Sequence, residues 1–389
     1  MEFADRIAAV MPRSPSDGIA WDRVEPLFSG ICFDEMKTTP QNPLYHGEGD
    51  VYRHTRLVCR ELTGTAEFHA LPERQRTELF LSALLHDVGK VKTTRMENGA
   101  WTSPNHAAQG SRTARSFLWA QCGLCGDREA IVFRETVCAL VRHHMLPMNL
   151  TEREDPVRAA RETAALGETA PDFTWRLLCM LAEADVKGRI ADDVGDCLLR
   201  VRLAGIAAEE AGCPDGPYPF PDGATRRAWL SGRNVPPDIA LYDGAWGEVV
   251  MMSGLPGTGK DTWIRENCPE LPMVSLDDIR GEMGVAPTDS QGEVVVAARE
   301  RAKEYLRRKQ PFVWNATNLT RETRRKLCGL FERYGAAVRI VYLETAPDRR
   351  ARRNLGRARA VPESTVAKML ERTVPPSPDE ARTVEWICV

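Results

Sequence analysis

Two groups of residues in this chain are of types that can work on phosphate. The first centres on His86 and Asp87, at the end of the apolar run LFLSALLHDVGK. His54 in DVYRHTRLV, His106 in SPNHAAQGS, His143 and His144 in LVRHHMLP, and Asp185 in LAEADVKGR belong to the same pattern. Adjacent helical residues point about 100° apart, so His86 and Asp87 can reach one ion bound beside their helix. Imidazole together with carboxylate suits transition metals such as Mn, Fe, Co, Ni or Zn, and a bridging aspartate can hold two of them. Such a metal lowers the pKa of bound water from about 16 toward neutrality and draws charge from phosphoryl oxygens, which is the chemistry of phosphoester hydrolysis. Lys90, three residues after Asp87 on the same helical face, is placed either to hold a phosphate beside the metals or to serve as a helix C-terminal cation.

The second group is MMSGLPGTGKDT, which follows a strand-like run and precedes a helical pattern, the context a phosphate loop requires. Gly254, Gly257 and Gly259 let the chain fold around phosphate with amide hydrogens inward, and Thr258 lies within the same turn. Lys260 adds positive charge for the β and γ oxygens of a nucleotide, so ATP or another nucleoside triphosphate with Mg is the expected ligand. Asp261 stands where Ser or Thr is usual, and Thr262 comes next. The Mg ligand is then either Thr262 or Asp261 acting through a water.

The elements that must position these groups differ in kind. Residues 20 to 210 carry mostly helical periodicity, with apolar residues three and four apart in TRLVCREL, RTELFLSALLHDV, RTARSFLWAQ, IVFRETVCALVRHH and FTWRLLCMLAEADV. The Pro- and Gly-rich stretches CPDGPYPFPDG and NVPPD then break any helix, with the short amphipathic ATRRAWLSG between them. Beyond them EVVMMSG, PMVSL, PFVWNAT and AVRIVYLE are of strand length and alternate with the helical EVVVAARERAKEYLRRK and RETRRKLCGLFERY. The expectation is a multi-domain chain: an all-α domain over residues 1–212, a linker over 213–245, and an α/β domain over 246–389 with a central parallel sheet.

At SALLHDVGK, NHAAQG and EADVKGR the first half resembles the HD-domain phosphohydrolase superfamily, and in particular the HD domain appended to bacterial CCA-adding tRNA nucleotidyltransferases. The resemblance spans about residues 45–190. It implies His54, His86, Asp87 and Asp185 around one metal, with Asp87 bridging to a second held by His106 and by His144 or His143, of which His144 is favoured because the family usually has one histidine two residues before the apolar-Pro element. From LDDIR onward the second half resembles the polynucleotide 5′-kinases of the P-loop phosphotransferase class, over about residues 246–385. There the first aspartate of a D-x-x-R element takes the acceptor hydroxyl's proton and the arginine binds the acceptor's phosphate, positions matched by Asp277 and Arg280. A carboxylate at the end of a strand beside the phosphate loop suits that task, which needs positioning more than basicity. NATNLTRETRR resembles that family's element after its third strand. ETAPDRRARRNLGRARAVP resembles its arginine-bearing lid, which implies Arg353 and Arg357 as clamps on the ATP phosphates.

In this order over nearly the whole length, the halves resemble the bacterial HD-Pnk family of RNA end-healing enzymes. That resemblance implies ATP-dependent phosphorylation of 5′-hydroxyl ends and metal-dependent hydrolysis of 2′,3′-cyclic, 2′- or 3′-phosphate ends. The partners implied are single-stranded or nicked RNA or DNA ends and a polynucleotide ligase. Two other readings remain open on the residues: an HD nucleotidase fused to a small-metabolite kinase, and an HD phosphohydrolase gated by a nucleotide-sensing P-loop domain.

Composition sets the outer limits. The 389 residues are 43% hydrophobic with a formal net charge of −3, ordinary for two cores and unlike a sequence-blind binder of long nucleic acid. No segment approaches the roughly 18 to 20 apolar residues of a membrane span, so a cytoplasmic protein with no membrane partner is expected. The eleven cysteines are scattered through apolar runs, as reduced thiols are. Cys122 and Cys125 form the only CxxC, read as two ordinary thiols in a helix–helix loop.

Overall fold

The computed structural model describes all residues except 32, 286–291 and 357–359. The chain divides into two compact units, Met1–Leu124 with Glu129–Tyr218, and Cys125–Arg128 with Pro219–Val389.

The first unit is helical. Its central helix, Glu73–Leu85, is buried continuously over residues 77–85, so it is packed on every side and has no solvent face of its own. It therefore carries whatever follows its last turn into the interior, and His86 and Asp87 follow. Around it stand Val51–Thr63, His106–Ala120, Arg128–His143 and Trp175–Lys187. Asp50 starts the first of these by accepting from the Arg53 amide at 2.8 Å, and Thr174 starts the last by accepting from the Leu177 amide at 3.2 Å. Gly89 is required by close approach, because a Cβ there would collide with the His106 carbonyl oxygen and the Gly110 amide. The helical reading misses one element. Strands β1 (Arg95–Glu97) and β2 (Ala100–Thr102) pair antiparallel across Asn98-Gly99, both at positive φ, the two-residue turn that Asn-Gly favours.

The second unit is a five-stranded parallel sheet with helices on both faces. Its strands are β3 (Glu248–Ser253), β4 (Met273–Ser275), β5 (Phe312–Asn315), β6 (Ala337–Glu344) and β7 (Thr383–Cys388), in the order β4-β5-β3-β6-β7. Alternate residues feed two separate cores. Val249, Met251, Phe312, Trp314, Val338 and Ile340 pack with Ala298, Leu306, Leu327 and Phe331 on one side, while Val250, Met252, Val313, Val341 and Leu343 pack with Trp263 and Ile264 on the other. Burial on both faces is why these strands read as continuous apolar runs. The edge strand β7 escaped that reading because TVEWIC is only half-buried throughout. Within the expected linker, Gly223–Leu230 is a helix of this unit: Asp222 caps it, and Arg227 forms a two-point pair with Glu332 at 2.7 and 2.9 Å.

Candidate active sites

In the helical unit, six of the expected residues converge. His54 Nε2 lies 3.0 Å from Asp185 Oδ1 and 3.7 Å from Asp87 Oδ2. His86 Nε2 lies 3.3 Å from Asp87 Oδ2 and 3.9 Å from Asp185 Oδ1. His106 Nε2 and His144 Nε2 stand 3.5 and 3.9 Å from Asp87 Oδ1, and 3.4 Å from each other. Asp87 is thus shared, one oxygen toward His54 and His86 and the other toward His106 and His144.

The outward nitrogens explain the orientation. Nδ1 of His86, His106 and His144 lies 2.8, 2.9 and 2.8 Å from the carbonyl oxygen three residues earlier, Ala83, Ser103 and Val141. A carbonyl only accepts, so the proton sits on Nδ1 and each Nε2 presents a lone pair inward. His54 differs, with its Nδ1 2.9 Å from Glu48 Oε1 and its Nε2 3.0 Å from Asp185 Oδ1, so both ring nitrogens face carboxylates. Partners of this kind fix tautomer and ring orientation at metal sites. His86 Nε2 and Asp87 Oδ1 are buried without a hydrogen-bond partner, atoms that a bound cation would satisfy. The donor set of four imidazoles and two carboxylates fits one or two transition-metal ions.

Charge in the cluster is strongly tuned. Burial opposes ionisation of Asp87, but Lys90 and His86 hold its pKa well below the usual carboxylate range; at Asp185 burial is overcome by His54 and His86 in the same direction. Burial also works against a proton on His54, yet the Asp185 and Glu48 carboxylates push its pKa up to about 9. His144 moves the other way, down to about 4, through burial and then the neighbouring His86; burial likewise lowers His106. Lys90 Nζ is 2.7 Å from Asp87 Oδ2 and donates to Gln41 Oε1 at 2.7 Å. Lys90 opens the four-residue helix Lys90–Thr93, and its ammonium secures the shared aspartate.

His143 is not brought to the cluster. One residue earlier than His144 on its helix, its ring is directed elsewhere, with its centroid 6.2 Å from that of Phe173. Four participants were absent from the sequence reading: Glu48, His46 (Nδ1 2.8 Å from Glu48 Oε1), Gln41 and Arg189. Glu48, Gln41 and His46 lie in a loop with no periodicity to mark them. Arg189 ends the quoted EADVKGR, where it was passed over, and lines the same cavity as Asp87 and Asp185.

In the second unit the phosphate loop runs from the end of β3, the middle strand, into the helix Lys260–Asn267. Gly254, Gly257 and Gly259 have φ of +140°, +83° and +94°, the backbone freedom expected of them. Thr258 is buried and its hydroxyl donates to the Leu255 carbonyl at 2.9 Å, so it braces the turn. Lys260 Nζ donates to the Gly254 and Leu255 carbonyls, each at 2.9 Å. Asp261 Oδ1 accepts from Asn315 Nδ2 at 2.7 Å, which ties the helix start to the end of β5, and the Thr262 hydroxyl accepts from Arg265 at 3.3 Å.

Asp277 follows β4 by two residues on the helix Leu276–Glu282, whose start Ser275 caps; Arg280 donates to Asp277 Oδ1 at 2.5 Å. Arg353, on Pro347–Leu355, lies at the loop, its Nη1 only 3.0 Å from where a Cβ on Gly259 would sit. Its neighbour Arg350 is instead paired with Glu363. Arg357 lies outside the described residues.

Comparison with known families agrees with both geometries. Residues 50–169 match the model of the HD domain and residues 249–376 match that of an AAA domain. The chain therefore joins a helical domain of the metal-dependent hydrolase type to a kinase-like P-loop domain. Among the described residues no helix is long and apolar enough to cross a membrane.

Proposed function

We propose that this chain is a bifunctional nucleic-acid end-healing enzyme: the P-loop domain phosphorylates 5′-hydroxyl ends from ATP, and the HD domain hydrolyses 2′,3′-cyclic, 2′- or 3′-phosphate ends. The observation that carries it is the coexistence in one chain of two complete phosphate-handling constellations. One gathers four imidazole Nε2 atoms around two aspartates, with His86 Nε2 and Asp87 Oδ1 buried and lacking partners; the other carries a phosphate loop after β3 and an Asp–Arg pair after β4 of the same parallel sheet. The quoted likeness to polynucleotide kinases and HD-Pnk supports the polynucleotide assignment.

Each residue then has a definite task. In the HD domain, His54, His86, Asp87, His106, His144 and Asp185 would hold one or two ions of Mn, Ni, Co, Fe or Zn, Lys90 fixes Asp87, and Arg189 offers a guanidinium to the substrate's phosphoryl oxygens. In the kinase domain the loop amides and Lys260 bind the ATP phosphates. Asp277 orients the 5′-hydroxyl and takes its proton as the oxygen attacks the γ-phosphorus and ADP leaves. Arg280 holds the acceptor's own phosphate, while Arg353 neutralises the transferred group from the loop side. RNA cleaved by transesterification bears a 2′,3′-cyclic phosphate and a 5′-hydroxyl, and a ligase needs both converted.

The test is a short RNA with those two ends, incubated with the protein, ATP, Mg and either Mn or Ni, followed by mass spectrometry of both termini. A gained 5′ phosphate with an opened cyclic end is expected. Unchanged ends from a protein that still binds ATP and metal would remove nucleic acid as the substrate and leave the nucleotidase reading.

A further inference from the structure

A cavity of about 640 Å³ opens over the HD cluster, within the range of small-molecule sites. Asp87, His106, His144 and Asp185 line it, and so do Tyr45 and Trp101. Metal binding and phosphate charge account for the first four and give the two aromatic side chains no task.

The setting of Trp101 is informative. It lies on β2, opposite Met96 of β1, on a ribbon inserted between Lys90 and His106. It is not among the residues of the main helical core. A two-stranded ribbon adds little stability by itself, so an indole on it facing a cavity is not explained by packing. The base of the ribbon is also tied to the metal cluster: Thr94 Oγ1 and Ser103 Oγ are 2.8 Å apart, and the Ser103 carbonyl is the acceptor for His106 Nδ1. The ribbon that bears Trp101 is thereby anchored beside the metal cluster. Tyr45, 46% exposed, brings a second ring to the same cavity. Aromatic side chains beside a phosphate site stack on bases of any sequence, because every base has a π face.

We propose that Trp101 is the stacking platform for the terminal nucleobase, so that the HD site selects a phosphate carried on a nucleoside over phosphoesters in general. This rests on the end-healing reading of the same site. The experiment compares wild type, Trp101→Ala and Trp101→Phe, each loaded with Mn, on two RNAs ending in the same cyclic phosphate, one with an intact terminal base and one abasic there. For the intact end, kcat/KM of Trp101→Ala should fall about 10-fold, the loss of one base–aromatic stack, while Trp101→Phe retains most of it. On the abasic end all three proteins should match, with equal bound Mn. An equal loss on both RNAs would assign Trp101 to positioning His106, and no loss on either would leave it without a substrate role; each result overturns the platform while end healing stands. Wild type inactive on both RNAs would bring down the end-healing reading and this inference with it.

Discussion

Glu48 stands behind His54, on the side away from the two aspartates, and that position gives it a measurable effect. It is buried, its Oε1 lies 2.9 Å from His54 Nδ1, and its Oε2 accepts from the Ile190 amide at 2.9 Å. Glu48→Gln should weaken Mn affinity about 10- to 100-fold, as loss of such a partner does at other metal sites, with helix content unchanged; titration calorimetry beside circular dichroism reads both. The residues in direct contact with the chemistry separate more sharply. His86→Ala or Asp87→Ala should abolish phosphate release and leave 5′ phosphorylation within about 2-fold of wild type, and Lys260→Ala or Asp277→Ala should do the reverse. Asp277→Ala should also keep ATP binding, measured by equilibrium titration, because Asp277 serves the acceptor and not the nucleotide. His86, Asp87 and Lys260 were legible as single letters in short motifs. Glu48 was not, since a buried carboxylate behind a ligand follows no spacing rule.

The central helix Glu73–Leu85 carries a buried titratable group that neither reaction uses. Glu78 is fully buried, with Arg74 Nε 3.3 Å from its Oε1, and burial followed by repulsion from Asp172 raises its pKa well above the ordinary glutamate value. The folded state therefore holds a proton that the unfolded chain releases near pH 4.5, and stability is lost as pH rises from there toward the folded pKa. Glu78→Gln should melt at a higher temperature than wild type at pH 8, and the difference should vanish below about pH 4.5 in thermal scans. Four residues beyond that helix, Gly89→Ala should cost about 1–3 kcal/mol in urea unfolding, because its methyl group would force the helix bearing His106 away. Helix periodicity made these long elements legible. The ribbon β1–β2 was not, although Asn98-Gly99 announced it, because three-residue strands are too short for an alternation to register.

At the scale of the whole molecule, the two constellations share no residue and sit in separately packed units with separate cores. One substitution that silenced both activities in a folded protein would contradict that organisation, and paired end-group assays on the single variants above would reveal it. By itself the sequence determined the two classes of fold and singled out the residues that converge on Asp87. Apolar periods and glycine spacing are local properties that survive being read one window at a time. Tertiary structure decided what depends on long-range approach. It brought the already favoured His144 to Asp87 and set the ring of His143 against Phe173. It tied Lys90 to Gln41, across 49 residues of chain. It drew the helix Gly223–Leu230 out of an apparent linker through pairing with Glu332, and completed the sheet with a half-buried edge strand. Each of these depends on a partner distant in the chain, and no local pattern encodes where that partner will stand.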